Sequence, residues 1–544
     1  MNKIFCHLKI LTCSSKMPDP LKTFYITVSG ILTRLAKTFP VACASDEFYY
    51  FPHIALRDLP ESTWDDYSPD SVSRMIQEIS DSISVLSKTA VREQETELQI
   101  DKNVIIHFLT TLKDYLKEHL FLKQQPSFYL TIINIGLVRA MSAEDKEVVQ
   151  QMIDGLPGFI EKAAVNLEQV PSPWLEIGLS MIDDSRKLID GIPVKQAGKI
   201  GSLKELDHFE SVLKGMKPEL QLRIDDELLR RIYARYMATE LELTEISGII
   251  QEEIDEMWEL MIDEAGKILK TPVKTSQSPE MLISRVSQEL AGHIKPQDDI
   301  LLLFRGEVER IRQHLNDTGI FSDDMNQLCP VHVMKMPDHI RAIRSASSYS
   351  IHPLHPPQEG IFFVLSRIAS GKPIDHRTEY RMLAAHETYP GHHLLDSSRL
   401  NLKNMIRRSL EFPVFYEGWA CFAEMLLETT GYFNGPADRF ILAKRRFWRA
   451  VRGQVDLGLQ TGKLDFDEAA RILQNAGIQK DRAQSAVKIY TLNPGYQVCY
   501  TVGIRRFLDL FDRYGRADPV HFAKTILGGG EILFSDLEKR LGGE

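Results

Sequence analysis

The stretch His386–Asp396, HETYPGHHLLD, concentrates residues able to do chemistry. A histidine followed directly by a glutamate, with more histidines one to two helical turns on, is an arrangement that holds a divalent metal. The glutamate then stands beside a metal-bound water and can take its proton. In the usual H-E-x-x-H pattern two histidines sit at i and i+4 on one helical face. Here position i+4 is Pro390, and the next histidines are His392 and His393. On a straight helix His386 and His392 would lie about 9 Å apart along the axis and roughly 120° apart around it, too far to share an ion. Pro390, however, clashes with the carbonyl four residues earlier, that of His386, and Gly391 permits backbone angles that other residues resist. Pro-Gly therefore predicts a helix that ends or widens just after Tyr389, with His392 or His393 turned back toward His386.

A metal site needs a third ligand, and carboxylates on a following helix are the usual source. In EGWACFAEMLLETTG (417–431), Glu417 and Glu424 share one helical face about two turns apart. One of them can ligate while the other holds a ligand histidine or a substrate group. Tyr416, Gly418, Trp419 and Ala420 around Glu417 suggest tight packing there. Further on, Arg445, Arg446, Arg449 and Arg452 cluster on the helical stretch 440–462. Arg449 or Arg452 could clamp a substrate carboxylate, but Arg452 and Asp456 sit at i, i+4, and a structural ion pair is the preferred reading.

The elements that must position these residues are mostly helices. Ser68-Pro69 supplies a helix start, and apolar residues then recur at helical spacing. Most of the chain to 325 reads the same way, broken by Pro, Gly and Ser. The longest candidate helix spans 225–270; its acidic face, Glu252, Glu253, Asp255 and Glu256, reads as solvated. Between 329 and 376 the texture changes. VHVMKMP (331–337) alternates like a short strand, SASSYSIHPLHPPQEG (345–360) reads as loop, and GIFFVLS (360–366) is the best strand candidate. A small sheet just before the metal-motif helix could take an extended substrate by strand addition.

The 544 residues, 43% hydrophobic and 26% charged, are ordinary for a globular protein. A formal net charge of −10 without a basic stripe argues against nucleic acid as a partner, and no apolar run approaches the ~20 residues that span a bilayer. Six scattered cysteines fit a reducing compartment, so a cytoplasmic location is expected. The first forty residues are basic, rich in Ser and Thr and nearly free of acids, a bias that weakly resembles an organelle transit peptide. The preferred reading is a poorly ordered extension over 1–44, or a start at Met17, ahead of a helical domain (45–325) and a metal-binding domain (326–544) packed as one unit.

HETYPGHHLL followed by EGWACFAE resembles the family catalogued as domain of unknown function 885, whose members carry HExxPGHxxQ and then EGWA-x-Y-x-E. The resemblance extends to R-x-x-R-x-x-x-D-x-G-L at 449–459, to P-G…Y-x-x-G at 494–503 and to FPHIALRDLP, and so covers nearly the whole chain from about 48. It implies a zinc-dependent hydrolase with a largely helical fold akin to the oligopeptidase and carboxypeptidase type of gluzincin. The fold expected is thus mostly α, with a small β-sheet beside the active-site helix and a deep cleft. By position the resemblance implies His386, His392 and Glu417 as ligands of one Zn2+, although another first-row ion would suit the same donors, and Glu387 as general base. His393 is an alternative ligand or a supporting group, and Tyr500, more than Tyr496, a phenol donor to the oxyanion. Leu395, Phe422 and Gln460 depart from the family's Gln, Tyr and His. The function expected is hydrolysis of short peptides or amides. The rivals are a hydrolase of non-peptide amides or esters, and a helical binding protein with a structural metal.

Overall fold

A computed structural model describes residues 19–543 other than 57–58, 61, 93–95, 119, 143–144, 218–223, 239–240, 275, 294–298, 321–328, 338–339, 341–343, 345, 368–370 and 372. The chain is mostly helical with one small sheet. Of the segment expected as an extension, residues 1–18 lie outside the described part, but Asp19–Thr38 is a helix, α1. Phe24, Val28, Ile31 and Leu35 on it are at most 1% exposed. Their spacing of three or four is helical, and burying them ties α1 to the core. The core is continuous from Phe24 to Leu537 and crosses the 325/326 boundary without a break.

The long helix expected over 225–270 is two, α2 (Asp226–Met237) and α3 (Leu243–Leu269). Ala238 stops the first in a left-handed conformation (φ 46°), and Glu242 with Glu245 forms a capping box that starts the second. The acidic face of α3 is not wholly solvated. Glu253 is 1% exposed and is gripped by Arg446 (2.6 and 3.0 Å) and Arg505 (2.5 Å). A buried carboxylate requires such partners.

Helix α4 (Ile300–Asp317) leads to the sheet, where β1 (Val331–Lys335) and β2 (Ser348–Ile351) flank β3 (Gly360–Val364). β3 runs parallel to β1, with Val331 opposite Gly360, and antiparallel to β2, with Tyr349 opposite Phe362. β2 lies inside the stretch expected as loop. Its serines mask the alternation, yet Tyr349 and Ile351 face inward and are buried. Gly360 must be glycine, since a Cβ would come within 2.6 Å of His393 and 2.7 Å of Tyr349.

After the sheet come α5 (Tyr380–Glu387), α6 (His392–Leu400), α7 (Pro413–Thr429), α8 (Pro436–Gln460) and α9 (Tyr496–Leu510). α7 and α9 meet backbone to backbone: a Cβ on Gly418 would stand 2.6 Å from the Cα of Gly503, and one on Gly503 2.3 Å from the Val414 carbonyl oxygen. No described helix is long and apolar enough to cross a membrane.

Candidate metal centre

The turn between α5 and α6 builds the centre. The helix ends at Glu387, two residues earlier than Tyr389, because the conformation before a proline is pushed out of the helical region and Thr388 has already left it (φ −120°, ψ −99°). Gly391 then folds back on the last turn of α5, its N–H donating to the Ala385 carbonyl at 3.0 Å. A Cβ there would lie 1.9 Å from the His386 carbonyl oxygen, so no side chain fits. The Trp419 indole N–H pins the turn to α7 by donating to the Pro390 carbonyl (2.9 Å). The result brings the His386 and His392 rings together, centroids 4.7 Å apart and planes at 78°.

Both histidines present Nε2 to one carboxylate oxygen, Glu417 Oε2, at 3.6 Å for His386 and 3.5 Å for His392. All three residues are buried, and their ligand atoms lie within 4.8 Å of one another. These spacings are too long for hydrogen bonds. They match donors each ~2.1 Å from one ion at tetrahedral angles, which stand about 3.4 Å apart. Glu417 Oε2 is accordingly a buried oxygen without a hydrogen-bond partner. Two imidazoles and a carboxylate with a vacant acceptor fit a first-row divalent cation.

The surrounding side chains orient these donors. His386 Nδ1 lies 3.1 Å from Glu424 Oε1 and 3.2 Å from Arg449 Nη2; in the tautomer with its proton on Nδ1, facing Glu424, Nε2 is free for a ligand role. Glu424 is in turn held by Arg445 (3.0 and 3.1 Å) and Arg449 (2.7 Å). Burial alone would raise the Glu424 carboxyl, but the two guanidinium groups and His386 outweigh it and hold it well below the usual carboxylate range. Burial and Arg449 push His386 toward neutrality, while Glu417 and Glu424 overcome them and raise its pKa. His392 stacks on Tyr416, centroids 4.1 Å apart, and the Tyr416 hydroxyl donates to Asp396 at 3.1 Å. Glu387 Oε2 accepts the backbone N–H of Tyr349 on β2 at 2.8 Å.

Other expected site residues land differently. His393 points to the far side, where its Nδ1 is 3.1 Å from the Tyr349 hydroxyl and its Nε2 3.1 Å from the Cys329 carbonyl. Tyr496 and Tyr500 do reach the centre, but both donate to Glu417 Oε1, at 2.6 and 2.9 Å. They thereby leave Oε2 to the histidines. The Arg452–Asp456 pair does not form. Asp456 instead accepts from the N–H groups of Gly495 (3.0 Å) and Gln497 (3.1 Å) at the start of α9. Those donors are unsatisfied ends of a helix and compete well for a buried carboxylate. Tyr49, 2.7 Å from the Tyr496 hydroxyl, is a residue that local spacing could not reveal. Only the aromatic density of FYYFP around it hints at burial against the site.

A second buried group, Asp396, Glu411 and Glu531, has the same ligand-like proximity. Arg399 lies among the three, donating to Asp396 and Glu411 and standing 3.6 Å from Glu531.

The chain matches the family described as "Bacterial protein of unknown function (DUF885)" over residues 54–541, and it belongs to that family. No curated protein matches it. Among solved structures it is similar to a candidate lipoprotein from Colwellia psychrerythraea (TM-score 0.77, 14% identity, covering 97% of this chain and 99% of that one). It is similar to a candidate lipoprotein of unknown function from Shewanella oneidensis (TM-score 0.73, 14% identity, 96% and 99%). A looser likeness joins it to metallocarboxypeptidase 1 of Trypanosoma cruzi (TM-score 0.40, 12% identity, 96% of each chain). The first two likenesses establish a shared fold and nothing about activity.

Proposed function

We propose that this protein is a metal-dependent hydrolase of peptide or amide bonds, with zinc held by His386, His392 and Glu417. The observation that carries this reading is the convergence of three buried donor atoms on one point, with Glu417 Oε2 otherwise unpartnered and Glu387 next in sequence to His386. When bound, the ion supplies a Lewis acid that polarises a carbonyl and makes water nucleophilic near neutral pH. Glu387 is the proton carrier. The Tyr349 N–H fixes its Oε2 at 2.8 Å and leaves Oε1 to accept a proton from the attacking water and return it to the leaving amine. Tyr496 and Tyr500 serve first by fixing Glu417. A phenol released from that bond would be a donor for the developing oxyanion. Three protein ligands leave a coordination position free, as catalytic rather than structural sites do. The described cysteines, all buried and unpaired, support a reducing compartment such as the cytoplasm.

The test is metal analysis of purified wild type and Glu387→Gln, each assayed on mixed short peptides. One equivalent of bound metal in both, with turnover in the wild type alone, is the expected result. No bound metal in the wild type, or equal turnover in the two, refutes the reading.

A further inference from the structure

Helix α8 carries a row of arginines beside the centre, and all but one are matched by an acid. Arg445 and Arg449 hold Glu424, and Arg446 holds Glu253. Arg452, one turn beyond Arg449 on the same face, pairs with no carboxylate among the described residues; its Nε is buried without a hydrogen-bond partner. Its guanidinium lies over the ring of Tyr500, 4.7 Å from the centroid, and the groups facing it are the phenols of Tyr490 and Tyr500 and the cation of Arg449. Glu417 is the carboxylate whose charge reaches it. An unmatched guanidinium next to another cation is costly when water is scarce. Its planar fork suits one class of partner, a carboxylate or similar anion bound through two parallel hydrogen bonds.

Position narrows that class. The Tyr500 hydroxyl is 2.9 Å from Glu417 Oε1, so only the width of one tyrosine separates Arg452 from a metal ligand. One residue of extended chain, about 3.5 Å, with a hydrogen-bond length at each end, covers such a span. Arg452, Tyr490, Tyr496 and Tyr500 are all partly exposed, whereas the ligands behind them are buried. A molecule arriving from solvent therefore meets this wall first. In a peptide the free α-carboxylate always lies on the amine side of the bond to be cut.

We propose that Arg452 binds the α-carboxylate of the residue being released, so that the enzyme removes single C-terminal amino acids from peptides or frees amino acids from their N-acyl forms. This rests on the amide-hydrolase reading and specifies its substrate. The kinetic test compares acetyl-X-Ala peptides bearing a free C-terminus with the same peptides as C-terminal amides. Wild type should favour the free acids on the order of 10- to 100-fold in kcat/KM, the worth of a hydrogen-bonded charge. Arg452→Gln should lose that preference through KM, with little change toward the amides, and Arg452→Lys should restore part of it. Equal cleavage of acids and amides by wild type, or an equal loss toward both in Arg452→Gln, overturns the proposal and leaves the hydrolase reading standing. N-acetylalanine against acetyl-Ala-Ala then distinguishes deacylase from exopeptidase. A second arm needs no turnover: equilibrium dialysis of metal-free protein with N-acetylalanine and with its amide. Tighter binding of the acid that vanishes in Arg452→Gln supports the carboxylate-binding role of Arg452 even if neither peptide is cut, an outcome that would sink the hydrolase reading and the released-residue assignment built on it. Equal binding of the two overturns it.

Discussion

His386, His392 and Glu417 form one buried group of ligand-type side chains, and Asp396, Glu411 and Glu531 form another, each within 4.8 Å. They share a helix, since His392 and Asp396 are one turn apart on α6, and Tyr416 touches both, stacking on His392 and donating to Asp396. By proximity alone they are equal candidates for an ion. What separates them is how the chain has already balanced their charge. In the second group Arg399 occupies the middle, and Phe412 donates its N–H to Glu531 at 2.7 Å. Burial, then the mutual repulsion of the acids, raises Glu411 well above the usual range, and burial pushes Glu531 up to about 8. That group satisfies its excess charge with a guanidinium and protons. In the first group no arginine or lysine among the described residues pairs with Glu417 Oε2, which faces the two imidazoles instead. Glu531 Oε1 is, like Glu417 Oε2, a buried oxygen without a hydrogen-bond partner, but Arg399 stands 3.6 Å from it. Closeness of acids is thus a poor guide to a metal site; a vacant acceptor faced by imidazoles rather than by a guanidinium is a better one.

Breaking the first group should have the largest effect. His392→Ala and Glu417→Ala should each abolish stoichiometric metal in the purified protein, whereas Glu387→Gln should keep the metal and lose turnover about 10²–10⁴-fold. Retention of metal in Glu417→Ala would erase the distinction between the two groups. Arg399→Met should cost about 3–5 kcal/mol in urea unfolding, as removal of one partner from a buried ion pair does, yet leave the metal content of the folded protein unchanged. Glu424→Gln keeps the shape but removes the charge that orients His386, and should weaken metal affinity about 10–100-fold in a chelator competition. A further effect concerns pH. The folded pKa of Glu531, about 8, lies above its ordinary 4.5, so the folded chain holds a proton that the unfolded chain releases. Its stabilising contribution is complete below pH 4.5 and is lost as pH rises toward 8. Denaturant titrations should therefore show wild type losing stability over that range more steeply than Glu531→Gln; parallel curves would place the excess charge elsewhere.

Much of the centre was legible because its chemistry is local. His386, Glu387, Pro390, Gly391 and His392 lie within seven residues, and steric rules for proline and glycine act over such distances. Glu417 and Glu424 were found as a pair because helical periodicity puts them on one face. What escaped depends on partners far along the chain. Glu253 looked solvated because its arginines lie almost two hundred and over two hundred and fifty residues away, at Arg446 and Arg505. The i, i+4 rule mispaired Arg452 with Asp456, since it describes exposed helix faces and not a carboxylate drawn off by the free end of a neighbouring helix. Strand β2 was hidden in a Ser- and Pro-rich stretch, and the N–H by which it anchors Glu387 has no signature in side-chain type. Helix α1 was obscured by the basic bias of its surroundings, although the apolar spacing was there to read.

The Gly418–Gly503 contact has one more consequence. The phenols of α9 reach Glu417 across a junction made of main-chain atoms, which have no rotamers to sample. The gap between Glu417 and Tyr500 therefore behaves as a fixed gauge rather than a sprung one. Warming should leave it unchanged until the two helices part, so the centre should fail abruptly, together with that helix pair, rather than loosen by degrees.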